Sequence, residues 1–208
     1  MQIRYITKSI KFFLLCVLVG TLAGCTTPRP TNIHNVCTIF KQYPEWFWNT
    51  QATQKKWGVP ESVQMAIIYQ ESHFNATARP PREHLLWVIP WFRPTTAYGY
   101  SQALKSTWEI YEKSTGHYSA DRSRFAAATD FIGWYSNRIN KQLGIRKNDA
   151  YRLYLAYHEG IEGYREKTYL QKPWLMQVAR NVSARANAYH NQLISCWNEL
   201  PKKPWWRF

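Results

Sequence analysis

Glu71 has both the type and the position of a proton donor. Val63, Ile67 and Glu71 are spaced by four, so all three project from one face of one predicted helix, and an apolar stripe ends there in a carboxylate. Pro60 and Glu61 suit the first turn of that helix, while Ser72, His73 and Asn75 act as breakers, which puts Glu71 in its last turn. Partial desolvation and the negative end of the helix dipole both disfavour a charged carboxylate at such a point. The expected result is a raised pKa and a proton available near neutral pH, which is what general acid catalysis needs. A solvated Glu at a frayed helix end is the alternative, and segments elsewhere in the chain decide between the two.

The elements that must hold Glu71 are helical. Apolar periodicity, caps such as Asp121 and Asn148, and stops such as Gly58, Gly116 and Gly144 predict helices over residues 44–57, 60–72, 106–114, 122–143, 149–158 and 174–200. Long alternating β-branched runs and repeats of solenoid period are absent. Residues 79–96 break the pattern, because Pro80, Pro81, Pro90 and Pro94 surround an apolar stretch over 85–92. A loop or short hairpin is expected there, lying on a groove, on a bilayer surface or on the domain's own core.

Arg4, Lys8 and Lys11 precede an apolar run over residues 12–19 that is too short to span a bilayer, which needs about 20 residues, and it reads as a secretory signal. Leu22-Ala23-Gly24-Cys25 follows it and resembles the lipobox of bacterial lipoproteins, which implies lipid on Cys25 and a mature chain beginning there. Thr26 at the next position implies, by the same resemblance, the periplasmic face of the outer membrane. Cys16 leaves with the signal and Cys25 carries lipid, so Cys37 and Cys196 are left to form a disulfide in an oxidising compartment. No CxxC or Cys/His cluster has metal-site spacing, and no metal or other cofactor is expected. The formal net charge is +14, of which the signal removes three. An excess of that size implies an anionic partner. Export excludes nucleic acid and leaves lipid head groups and the carboxylate-bearing cell wall.

Three blocks stand in order: Glu71-Ser72, Gly99-Tyr100-Ser101-Gln102, and Ala156-Tyr157-His158-Glu159-Gly160. Together they resemble the soluble lytic transglycosylase family, whose domain carries a catalytic Glu followed by Ser, a Gly-x-x-Gln block and an Ala-Tyr-Asn-x-Gly block. The resemblance spans residues 45–195 and implies a mainly α, lysozyme-like single domain with a small irregular or β-hairpin segment beside the active-site cleft. It implies that Glu71 protonates the glycosidic oxygen between N-acetylmuramic acid and N-acetylglucosamine in peptidoglycan, then accepts a proton as the C6 hydroxyl closes a 1,6-anhydro ring. It further implies that Ser72, Gly99, Tyr100, Gln102, Tyr157 and His158 bind substrate, with Tyr157 close to Glu71. The departures are His158 in place of Asn and Tyr100-Ser101 in place of a bulky apolar pair. Glu159 is expected to be solvated near a helix end, yet as a second carboxylate it keeps a hydrolytic muramidase open. A non-catalytic, wall-binding envelope lipoprotein is the reading from a different class.

The resulting organisation is a lipoprotein signal peptide over 1–24, a tether over 25–36, the lysozyme-like domain over 37–200 and a basic aromatic tail over 201–208. Cys25→Ser is expected to move the protein from the membrane fraction to the soluble periplasm, or to leave its precursor unprocessed. Fractionation followed by intact mass measurement checks this; processed protein that stays membrane-bound would show that the lipobox reading is wrong.

Overall fold

Every residue from Glu61 to Ile68 is buried, so the helix that ends beside Glu71 has no solvent face along its first two turns. In the computed structural model, which describes residues 27–82, 84–85, 89–90, 93 and 95–205, this is helix α3 (Glu61–Ser72). The single stripe read from Val63 and Ile67 is therefore too narrow. Met65, Ala66 and Ile68 occupy the other faces and are equally enclosed, because neighbouring helices surround α3. A polar residue in that setting must be satisfied from the backbone, and Gln64 Nε2 donates to Thr50 O at 3.0 Å and Val59 O at 2.8 Å.

The other helices are α1 (Val36–Gln42), α2 (Pro44–Trp57), α4 (Lys105–Thr115), α5 (Phe125–Leu143), α6 (Ala150–Arg165) and α7 (Pro173–Cys196). Helix α3 packs on α7 and α2, α2 packs on α5, and α6 lies against both α5 and α7. Aromatic rings fill the seams, with Trp46 of α2 stacked on Phe125 of α5 at a centroid distance of 4.0 Å. The fold is mainly α, as expected. Helix α1 was not foreseen: its seven residues are too few to show a period, and what starts it is the Asn35 side chain accepting from Thr38 N. Helices α4 and α5 begin after Leu104 and Arg124, and Asp149, not Asn148, caps α6 by accepting from Arg152 N. Within residues 79–96, β1 (His84–Leu85) and β2 (Ile89–Pro90) form a two-residue antiparallel ladder. Most of the apolar stretch over 85–92 lies outside the described residues, as do the signal, Cys25 and residues 206–208.

Both ends of the described chain are tied to the domain. Residues expected as tether make specific contacts: Tyr43 donates from its hydroxyl to Pro28 O at 2.9 Å, and Thr31 N donates to Gln42 Oε1 at 3.0 Å. At the other end α7 stops at Cys196, short of the expected residue 200, and a 3-10 turn (Trp197–Glu199) carries the chain on to Pro201, whose carbonyl accepts from Trp48 Nε1 at 2.7 Å. Cys37 and Cys196 form a disulfide that joins α1 to the end of α7 across a sequence separation of 159. Among the described residues no helix is long and apolar enough to cross a membrane. Closing so long a loop restricts the unfolded chain strongly, so Cys37→Ser together with Cys196→Ser is expected to cost about 5 kcal/mol in the chain-entropy account. Denaturant midpoints of the double variant and of the oxidised wild type give this value directly.

Candidate active site

Glu71 opens into a cleft of about 580 Å³ whose walls come from the end of α3, residues 95–104, α5 and the middle of α6. The chain leaves α3 abruptly, because His73 and Phe74 both adopt left-handed backbone, with φ of 49° and 60°. Two such residues in succession are costly, and burial of Phe74 against Trp46 supplies the compensation. Glu71 is thereby held in the last turn with one edge on the cleft. Burial pushes its pKa from 4.5 up to about 7, while a hydrogen bond donated by the Tyr154 phenol acts the other way by favouring the carboxylate.

Tyr154 lies one helical turn before Tyr157 and was not picked out from the sequence. The contact with the carboxyl is made by this phenol and not by that of Tyr157. Tyr157 is close enough to Glu71 for the carboxylate to raise its pKa, after burial, but its hydroxyl donates to Ser101 O at 2.8 Å. It therefore braces the cleft floor against the loop over residues 99–102. The two rings are stacked, 6.5 Å apart and 14° from parallel, so the spacing of three on α6 was the signal that could have found Tyr154.

Of the residues read as substrate-binding, Gln102, Tyr157 and His158 line the cleft, whereas Ser72, Gly99 and Tyr100 lie behind it. Ser72 is buried and its hydroxyl donates to Ile68 O within α3. Tyr100 is a core residue set edge-on to Trp46 and Phe125. Gly99 has φ of 78°, and a Cβ there would sit 2.0 Å from Arg122 O, so only glycine lets the two segments approach. Gln102 is left-handed too, at φ 46°, and Nε2 holds it there by donating to Ala78 O at 2.9 Å and Gly99 O at 2.8 Å. Its amide oxygen is the polar group that remains for a ligand.

On the facing wall, Gly160 (φ 76°, ψ 168°) breaks α6 and turns His158 and Glu159 toward the cleft. Glu159 is not solvated, as the sequence suggested. Its side chain is 3 % exposed and accepts from Lys172 Nζ at 2.8 and 3.0 Å, from the Thr168 hydroxyl and from His158 Nδ1. Burial alone would raise its pKa; these donors outweigh burial and hold it below the usual carboxylate value. His158 is partly exposed, and its ring meets Trp174 edge-on at 5.4 Å.

The chain matches the family model described as Transglycosylase SLT domain over residues 13–196, a span that includes every wall of the cleft. No curated protein matches it. Because the Tyr154 phenol stabilises the ionised form of Glu71, Tyr154→Phe is expected to move the Glu71 pKa further above about 7, with a loss of about 1–3 kcal/mol in stability. Carbon-13 NMR titration of the Glu side-chain carboxyls, with Glu71→Gln to assign the resonance, reads the direction.

Proposed function

The chain belongs to the transglycosylase SLT domain family, whose activity is directed at peptidoglycan, and on that premise we propose that Glu71 alone serves as acid and base in a non-hydrolytic cleavage of the glycan strand. The supporting observation is the contrast between two carboxyls that line the cleft among the described residues: burial pushes the Glu71 pKa up to about 7, while the donors around Glu159, Lys172 among them, hold it below the usual carboxylate value. A group poised at neutral pH can give a proton and take one back. A carboxylate already saturated by donors and closed to solvent does neither efficiently.

In the proposed reaction, protonated Glu71 donates to the oxygen linking C1 of N-acetylmuramic acid to the next N-acetylglucosamine, and that bond breaks. The substrate's own acetamido group supports the electron-poor C1, so no protein nucleophile is required. Glu71, now ionised, takes the proton of the C6 hydroxyl, and O6 bonds to C1 to give a 1,6-anhydromuramic end. Water is not consumed. Paired-carboxylate hydrolysis requires a second group free to attack C1 or to activate water. Glu159 is unsuited to either task, because both of its oxygens are engaged by Lys172 and its neighbours. Gln102 and His158 line the cleft with Glu71 and offer polar contacts to the sugar. The proposed setting is the periplasmic face of the outer membrane, with lipid on Cys25, and it is supported by the order of basic, apolar and lipobox residues at the start of the chain.

Mass analysis of fragments released from purified sacculi is the primary test. Anhydro ends support the proposal, reducing ends would replace it with hydrolysis, and no release would favour a wall-binding protein. Glu71→Gln is expected to lower the rate by at least roughly 10²–10⁴-fold, since the amide has no proton to give. Wild-type activity is expected to fall as pH rises through about 7, where the donor ionises. Stability follows the same titration. A carboxyl raised from 4.5 to about 7 in the folded state stabilises the fold below the lower value, and that contribution is lost as pH rises through the upper one. Glu71→Gln is therefore expected to match the wild type near about pH 4 and to exceed it by about 3 kcal/mol near about pH 8, as read from denaturant unfolding at the two pH values.

A further inference from the structure

Two guanidinium groups share one aromatic ring at the edge of the cleft. Arg79 Cζ lies 4.5 Å from the ring centroid of Tyr98, and Arg122 Cζ lies 5.3 Å from the same centroid. They are close enough that Arg79, after burial, contributes to lowering the pKa of Arg122. Their roles differ. Arg122 is half-buried and spends its Nη1 on Thr96 O at 2.8 Å and Ala103 O at 2.9 Å, which ties the loop together. Arg79 is exposed, and among the described residues no carboxylate pairs with it.

The backbone around Arg79 is fixed. Ala78 on one side accepts from Gly99 N at 3.0 Å as well as from Gln102 Nε2, and Pro80 on the other side lines the cleft. Ala97, next to Tyr98, lines it as well. A guanidinium resting on a ring keeps its in-plane N–H donors free, and those donors match the two oxygens of a carboxylate. A second cation over the same ring adds attraction for an anion and repels other cations. Arg93 Nη1 donates to Pro80 O, which brings a third guanidinium to the residue next to Arg79.

Where a stem peptide is attached, the lactyl carboxyl of N-acetylmuramic acid is spent in the amide bond, so the sugars flanking the cut bond are uncharged and the free carboxylates belong to the peptide. Resting on the peptidoglycan reading above, we propose that Arg79, laid on Tyr98 beside Arg122, binds a stem-peptide carboxylate and makes the cleft select glycan strands that carry charged peptides. The rim stands outside the groups that handle the glycosidic oxygen, so it sets which strand enters and not how the bond breaks.

The test measures binding without cleavage. Glu71→Gln protein is co-sedimented with purified sacculi, either native or with their carboxylates converted to amides by carbodiimide and ammonia. The expected result is about tenfold tighter binding to the native wall, the scale of one good charge-assisted pair. Adding Arg79→Gln removes that preference, Arg79→Lys keeps part of it, and Lys141→Gln, an exposed cation at the end of α5, leaves it in place. Equal binding to both walls by the Glu71→Gln protein, a preference that survives Arg79→Gln, or an equal loss with Lys141→Gln would each overturn the proposal, the last by assigning the effect to bulk charge. Release of anhydro ends by the wild type is scored separately. Cleavage without a charge preference removes this inference alone, and a charge preference without cleavage removes only the catalytic reading.

Discussion

The enclosure of the first two turns of α3 is the constraint from which the site follows. A helix with no solvent face over Glu61 to Ile68 cannot slide or rotate without uncovering apolar surface or stranding Gln64, whose amide is held by two backbone carbonyls. Its end is therefore a fixed point, and the Glu in its last turn meets the boundary between core and cleft at a defined depth. A carboxyl at that depth loses hydration on one side and keeps access to a substrate on the other. The same packing that stabilises the domain thus creates the raised pKa and sacrifices some stability above neutral pH to do so.

The cleft separates two carboxyls by environment. Glu71 is surrounded mainly by protein without cations, and its contact with Tyr154 moderates the effect of burial without cancelling it. Glu159, whose side chain is also covered, is surrounded by donors and remains charged. Burial alone therefore predicts the wrong direction for Glu159; what decides is whether the donors around a buried oxygen outweigh its lost hydration. The ion pair with Lys172 also joins α6 to the segment preceding α7 just where Gly160 interrupts the helix, so a break that exposes His158 to the cleft is braced from behind.

The loop over residues 99–102 is a supporting layer built from unusual backbone. Gly99 and Gln102 occupy left-handed conformations, Arg122 and Ala78 provide the groups that hold them, and Ser101 lends its carbonyl to Tyr157. Arg122 reaches the same loop from the segment before α5 and shares the Tyr98 ring with Arg79. Positioning of the cleft wall and placement of the cationic rim thus depend on the same few contacts.

Glu71 was legible in the sequence because a carboxylate following apolar residues at a spacing of four, just before a cluster of breakers, requires only local geometry to interpret. The mainly α class, most helix limits and the pairing of Cys37 with Cys196 were legible for similar reasons: periodicity, glycine stops and cysteine parity are properties of the chain itself. What α3 meets on its other faces was not, since burial all round erases the amphipathic pattern that a sequence displays. Likewise, nothing local distinguishes Tyr154 from Tyr157, or tells that Tyr100 turns into the core while Gln102 turns to the cleft. Those choices depend on which distant groups arrive opposite each side chain: Ser101 O for Tyr157, Trp46 and Phe125 for Tyr100, Lys172 for Glu159. Residue type and spacing determined which groups are candidates to exchange a proton; only the packing of helices from opposite ends of the chain decided which were desolvated, which were neutralised and which faced the cleft, because hydration and ion pairing are properties of the assembled surroundings.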